Sequence, residues 1–462
     1  MPIAVVVVWG GEHPEWLAAA ARSIDSQVPA PAERCLVVDC DRDAALADAR
    51  EAVGGPDGWV IRQGCWREPA AARNDGAAAT SSAWVVFWDA DNLMPPGFLA
   101  TVRQEIRTCA ADVGIIYSDI EYMSENGQRR GLWRVPDWDY WTLRKGNYID
   151  TAAAWRREAL ELAGGWPGGL KSHEDYALAL AITRRGWQAR RRPGPPIGKR
   201  EHPASRTAAS KRNGGPAADL WQARSLAIVS LLAGRNSTYD RWERFLRTAQ
   251  LPRHAALYVV DNGGDPAFSS RVRRTCGELS ASGRLEQVSV SVRPQRYTGQ
   301  ANEGYFTRQR HLHIARLYAD VLPTVREDLV LTLEDDVEPP PDAIRRLAEQ
   351  YPSDPDGNRA AVGAAYDMAD GALCAGRADG GWGSPIYWHQ VTDQPMDVGS
   401  VGGGCTLWAN WGLAGQPVSF LWSEGLGWDG SLCAALRKRG YRIQVHGGVR
   451  CTHHIHGAIR PQ

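Results

Sequence analysis

Several things are scarce in this chain of 462 residues. It has no net charge: 53 Lys+Arg stand against 53 Asp+Glu, which excludes a uniformly basic nucleic-acid binder and leaves only local patches to consider. Long apolar runs are missing. The longest after the N-terminal region, Leu226 to Gly234, falls far short of the ~20 residues that span a bilayer. The first run, Ile3–Val8, has no basic flank and meets Gly10-Gly11-Glu12, so it predicts a buried strand and not a signal peptide. The 9 cysteines are scattered without a Cys-x-x-Cys pair, which argues against a disulfide framework or a structural zinc site. Buried reduced thiols in a cytoplasmic protein are the expectation. Phenylalanine is also scarce, at 6, whereas tryptophan reaches 20. Indole joins a broad flat face to an N–H donor, so its excess points to amphipathic packing or to stacking on ligands.

At ~100–200 residues per domain the length predicts two or three domains. One order of features occurs twice. Ile3–Val8, then Cys35–Val38 ending on Asp39, then Trp84–Trp88 ending on Asp89-Ala90-Asp91 and Pro95-Pro96, make up the first instance. Leu226–Leu232, then Leu257–Val260 ending on Asp261, then Leu329–Leu333 ending on Glu334-Asp335-Asp336 and Pro339-Pro340-Pro341, make up the second. Wholly apolar strands alternating with helical patterns predict parallel sheets covered on both faces. Two α/β domains follow, residues 1–215 and 216–462, with a linker sought in Pro193–Asp219. The neighbouring stretch Arg184–Arg212 carries ten Lys/Arg against Glu201 alone. It reads either as a solvated face or as a clamp for phosphates on a nucleotide or nucleic acid.

The acids at the strand ends carry the chemistry. In open α/β sheets ligands bind beyond the carboxyl ends of strands, where Asp39, Asp89, Asp91, Asp261 and Glu334–Asp336 fall. Alternate carboxylates there suit a hard divalent cation held against a diphosphate. Asp-x-Asp by itself also caps helices and turns; the hydrophobic strand before it and Pro-Pro after it make it more specific. Glu174-Asp175 reads equally as a pair of first-turn acids favoured by the helix dipole.

Residues 72–98, running Ala-Arg-Asn-Asp-Gly through Trp-Asp-Ala-Asp-Asn to Pro-Pro-Gly-Phe, resemble the core of family 2 glycosyltransferases of the GT-A fold. Tyr117-Ser118-Asp119, Gly127, Asn147-Tyr148-Ile149, Arg156-Arg157, Gly164-Gly165-Trp166, His173-Glu174-Asp175-Tyr176 and Glu201-His202-Pro203-Ala204-Ser205 follow in the family's order, so the likeness covers about residues 3–210. It implies two tandem Rossmann-like GT-A domains with mixed, mainly parallel sheets. It also implies a nucleotide-sugar donor (UDP-, GDP- or dTDP-linked) and a divalent cation, Mn²⁺ or Mg²⁺. Asp39 would then bind the base, with Arg73 also on the donor side; Asp89 would face the ribose and pyrophosphate. Asp91 would bind the metal and His202 the metal or pyrophosphate. Asp175 would be the general base of an inverting transfer, with Glu174 beside it.

The second half resembles the same fold more distantly. There the likeness gives Asp261, Glu334 and Asp335 to the donor, Asp336 with His453 or His454 to the metal, and Asp429 to the base. Glu334 in place of Asp, and Trp428 in place of Glu, depart from the pattern. Trp133, Trp166, Trp408 and Trp428 are candidates for the acceptor side, and six tryptophans between Trp382 and Trp428 are expected to crowd an acceptor cleft. The acceptor class implied is a glycan or glycan precursor. Two further readings stand beside it: a phage-type enzyme glycosylating hydroxylated bases in DNA, and a carbohydrate-binding tandem without activity. A nucleotidyltransferase is disfavoured, because neither half shows the glycine-rich phosphate loop it would need.

Overall fold

The computed structural model describes residues 1–55, 58–170, 172–203, 205, 217–293, 308–351, 358–368, 371–377, 384–414 and 427–454. They divide into two compact units, Met1–Asp219 and Leu220–Gln462. No helix among the described residues is long and apolar enough to cross a membrane.

The N-terminal unit contains β1 (Ile3–Trp9), β2 (Glu33–Asp39), β3 (Val60–Gly64), β4 (Trp84–Asp89), β5 (Val113–Tyr117), β6 (Ile120–Met123), β7 (Arg129–Trp133), β8 (Ala154–Arg156), β9 (Gln188–Arg191) and β10 (Ile197–Arg200). Seven of them form one sheet in the order β3-β2-β1-β4-β8-β5-β9, and β10-β6-β7 form a small second sheet. The contacts β1–β2, β1–β4, β2–β3 and β5–β9 are parallel, while β8 runs antiparallel to both β4 and β5. Central strands such as β1 and β4 are apolar at almost every position because helices cover both faces of the sheet. Trp84 and Trp88 are enclosed in that interior, Trp9 nearly so.

The C-terminal unit contains β11 (Ser225–Leu232), β12 (His254–Asp261), β13 (Gln287–Val292), β14 (Leu329–Glu334), β15 (Val337–Glu338), β16 (Arg359–Ala365), β17 (Ala375–Gly376), β18 (Pro395–Val398), β19 (Ser400–Val401), β20 (Cys405–Ala409), β21 (Arg442–Arg450) and β22 (Thr452–His453). Its main sheet runs β13-β12-β11-β14-β20-β16-β21-β18. Strand for strand this is the N-terminal order with one added edge strand, and β20 is the reversed strand that corresponds to β8. The expected α/β class with mixed, mainly parallel sheets is therefore found in each unit.

Two sequence expectations need correction. The stretch from Pro193 to Arg200 is not linker: β10 lies inside the small sheet, parallel to β6, and Gly198 bridges Leu93 just after the Asp-x-Asp segment. The tryptophans of the C-terminal unit are largely core. Trp408, Trp411 and Trp428 are buried, Trp388 is partly exposed, and Trp382 and Trp422 lie outside the described residues. The Trp408 indole donates to Thr332 Oγ1 at 3.0 Å, so both its face and its N–H are used internally.

The helix Pro69–Ala78 lies on β1 and β2, and its one glycine permits the approach. A methyl group on Gly76 would overlap Val6 and come within 2.8 Å of Val37 Cγ2, both buried. Gly76→Ala is expected to destabilise the N-terminal unit by about 1–3 kcal/mol through overpacking, despite its gain in helix propensity. Urea unfolding followed by tryptophan fluorescence measures it; an unchanged midpoint would contradict this packing.

Candidate active site

The site of the N-terminal unit lies at the carboxyl ends of β2 and β4, beside the start of the helix Glu174–Arg184. Arg73 projects from the helix packed by Gly76. Its guanidinium is buried and donates in two directions, Nη2 to Asp89 Oδ1 and Nη1 to Glu174 Oε1, each at 3.0 Å. Burial opposes the charge on Arg73, yet Asp89 and Glu174 together raise its pKa above the ordinary value. Its carbon centre lies 4.6 Å from the Trp166 ring centroid. Asn74 fixes the Trp166 backbone with both ends of its amide, at 2.8 and 2.9 Å. Arg73 thus ties the end of β4 to the start of the helix Glu174–Arg184.

Glu174 and Asp175 occupy the first turn of that helix after His173, which is held at φ 63°. Glu174 is buried against Arg73; Asp175 is partly exposed and accepts from the Tyr176 N–H at 2.7 Å. Desolvation, then the neighbouring charges of Glu174 and Asp150, push the Asp175 carboxyl up to about 7, with Lys199 pulling the other way. A carboxylate poised there is suited to accept a proton near neutral pH.

Asp91 makes a second cluster. Its Oδ2 lies 3.0 Å from His202 Nε2. Burial, then the negative charge of Asp89, raise its carboxyl above the usual range. Among the described residues no group of three or more His, Cys, Asp or Glu is arranged to hold a metal ion. Two protein donors suffice when a diphosphate completes the shell. The donor set of one carboxylate and one imidazole is of the kind a divalent cation accepts. Asp39 accepts from the Trp66 and Arg67 N–H groups through Oδ1, at 2.7 and 3.2 Å.

Four participants are absent from the sequence expectation. Lys199 donates to the buried Asp150 at 2.6 Å, and Asp150, Asp89 and Asp175 raise the Lys199 pKa against its burial. Arg200 donates Nε to the Asp91 carbonyl and its N–H to Asn92 Oδ1, both at 2.9 Å. The signal for Lys199 and Arg200 was visible as the basic stretch, but its meaning depends on β10 folding back onto the Asp-x-Asp loop. Five of the ten basic residues of the expected nucleic-acid clamp, Lys199 and Arg200 among them, are engaged within the unit. Arg190 pairs with Glu105, Arg191 with Asp119 and Asp137, and Arg192 is buried against Thr101 and Pro195. Arg206, Lys211 and Arg212 lie outside the described residues.

The acceptor candidates divide. Trp133 is half-buried on β7. Trp166 is enclosed by Phe87, Trp155 and Arg73. It supports the arginine and presents no face to a sugar, as Trp408 presents none.

In the C-terminal unit the acids stand at the expected strand ends and are mostly engaged internally. Asp261 is fully buried, accepting from the Gly263 N–H at 3.0 Å and from the Ser269 hydroxyl. It closes its own turn and cannot also read a base, which corrects that assignment. Asp335 and Asp336 both pair with Arg235. His453 Nδ1 meets the Asp367 carbonyl at 2.7 Å, and His454 Nε2 meets Glu338 at 3.0 Å. Glu334 is pushed up to about 8 by desolvation, then by Asp336 and Asp429. Asp429 accepts from Gly403 and Gly430 N–H groups at 2.9 and 2.8 Å, and burial raises its carboxyl too. The Trp428 ring packs on Gly403 and on Tyr318, 4.2 Å between centroids.

Comparison with known proteins finds a family match in the N-terminal unit. Residues 4–163 match the family model for glycosyl transferase family 2. Over those residues the N-terminal unit is similar to family 2 glycosyl transferases. An uncharacterized protein, y4gI, of Sinorhizobium fredii is 27% identical over 185 residues, 40% of this chain and 20% of that protein. The O-antigen biosynthesis protein RfbC of Myxococcus xanthus is 29% identical over 163 residues, 35% of this chain and 13% of RfbC. The matched regions are thus a fifth or less of the relatives' lengths. Among solved structures, S. aureus TarS 1–349 aligns with 18% identity and a TM-score of 0.35, covering 44% of this chain and 61% of that fragment.

The Arg73 bridge of the N-terminal unit gives a direct test. Arg73→Met leaves Glu174 buried without its counter-charge, at an expected cost of about 3–5 kcal/mol; Arg73→Lys, which keeps the charge but reaches one carboxylate, should cost less. Denaturant titration checks the order, and equal losses for Met and Lys would contradict it.

Proposed function

We propose that the N-terminal unit transfers a sugar from a nucleotide-sugar donor to a hydroxyl of a carbohydrate acceptor. The observation that carries this reading is the joining of Asp89 to Glu174 through Arg73, beside an Asp175 held near neutrality. It supports donor-side and acceptor-side carboxylates working within one preorganised group. Asp39 binds the base, and Asp89, positioned by Arg73, faces the ribose and pyrophosphate. Asp91 and His202 would hold Mn²⁺ or Mg²⁺, which when bound takes up the charge of the leaving diphosphate. Asp175 removes the proton of the acceptor hydroxyl as it attacks the anomeric carbon. A single base and direct displacement give inversion.

The acceptor we favour is a bacterial surface glycan or its precursor, met in the cytoplasm or at a membrane surface. The similarity to a protein named for O-antigen biosynthesis supports that class. Glycosylation of DNA bases is less favoured, because Arg190, Arg191 and Lys199 of the basic stretch pair with acids of the unit. The expectation of two metal-dependent centres is narrowed to one, and the C-terminal unit is read as the scaffold or acceptor-binding half.

Incubation with UDP-, GDP- and dTDP-sugars plus Mn²⁺ and a glycan acceptor fraction tests the assignment. Asp175→Asn should lower turnover by about 10²–10⁴-fold, the usual worth of a general base, while leaving nucleotide affinity nearly unchanged. Loss of binding in place of turnover would contradict the role of Asp175. The pH profile follows from the raised carboxyl. Its base form is lost as pH falls through about 7, so kcat/KM should drop tenfold per unit below that and level off above it. A profile flat from pH 5 to 8 would contradict it.

A further inference from the structure

The shared strand order allows the two units to be compared place by place. In the N-terminal unit the loop after β1 is Gly10-Gly11-Glu12-His13, with no Lys or Arg, and Asp91 meets an imidazole. In the C-terminal unit the loop after β11 carries Arg235, immediately before the helix Asn236–Thr248. We infer that the C-terminal unit holds no divalent cation at Asp335 and Asp336, because the Arg235 guanidinium is built into the place that cation would take.

The geometry is specific. Arg235 Nη1 donates to Asp336 Oδ2 at 2.8 Å, Nη2 donates to Asp335 Oδ1, and Nε lies 3.4 Å from Asp335 Oδ2. Thr238 Oγ1 adds a bond to Asp335 Oδ2 at 3.2 Å. Both aspartates are almost completely buried, and a guanidinium keeps its charge at every accessible pH. Three of the four carboxylate oxygens are therefore taken by a permanent cation. The fourth, Asp336 Oδ1, is buried with no described hydrogen-bond partner. A dication placed on it would sit within a few ångströms of Arg235, and like charges at that distance repel strongly in a buried setting.

The late histidines do not restore a site. His453 is turned to the Asp367 carbonyl and packs edge-on to Tyr366. His454 is held by Glu338, which Arg241 and Arg244 also approach, at 4.0 and 3.5 Å. This corrects the expectation that Asp336 with His453 or His454 forms a second metal centre. In one chain, the same sheet position is balanced by an exchangeable ion in one unit and by a side chain in the other. The contrast rests on the proposed cation role of Asp91; the statement about the C-terminal unit does not.

Counting bound Mn²⁺ on the full chain by electron paramagnetic resonance, with UDP present, tests both separately. The wild type should bind one tight ion per chain and Asp91→Ala none. If the wild type also binds none, the inference for the C-terminal unit stands and the reading of Asp91 fails. If Asp91→Ala retains an ion, Asp336→Asn is added to it, or Asp335→Asn where that chain does not fold. Loss of the retained ion would overturn the inference. Its persistence places it elsewhere and leaves Asp335 and Asp336 cation-free, as inferred.

Discussion

A buried guanidinium shared between two carboxylates organises the N-terminal unit. Without Arg73, Asp89 at the end of β4 and Glu174 on its helix would be like charges facing one region. With it, they become the two ends of one ion triad. The pieces around the triad serve its placement: Gly76 lets the helix approach the sheet, Asn74 fixes Trp166, and Trp166 supplies a flat apolar wall behind the guanidinium. Replacing such a triad with apolar residues is often neutral for stability, whereas removing one member is costly. Its retention here therefore fits a requirement for charges held at defined positions.

The C-terminal unit meets a similar concentration of acids with a different solution. Arg235 neutralises Asp335 and Asp336 directly, and Asp261 is turned into a loop clasp. What stays in common is the strand order, the reversed strand beside the Asp-x-Asp position, and an acid at the start of a late helix, Asp175 in one unit and Asp429 in the other. The scaffold is shared while the strand-end acids are engaged differently, and function is argued from the site and not from the fold.

Much of this was legible in the residues. Apolar strands ending on Asp39, Asp89, Asp261 and Glu334 announced the repeated sheet, and the acids fall at the strand ends where they were expected. Tryptophan misled, because an indole buried with its N–H on Thr332 and one open to a sugar have the same letter in the chain. The basic stretch misled for another reason. A run of cations reads as a surface until the fold supplies Glu105, Asp119 and Asp150 from distant positions. Long-range pairing of this kind, such as Arg73 with Glu174 a hundred residues away, is set by topology and leaves no local spacing to read.

The account turns on Asp89 and Glu174 acting as one group through Arg73. A double-mutant cycle of Asp89→Asn and Glu174→Gln, read as the rate of nucleotide release from the best donor, measures that directly. Groups sharing a partner should show a coupling of roughly 0.5–3 kcal/mol, so that the second substitution costs much less once the first is made. Losses that simply multiply, with a coupling near zero, would contradict it.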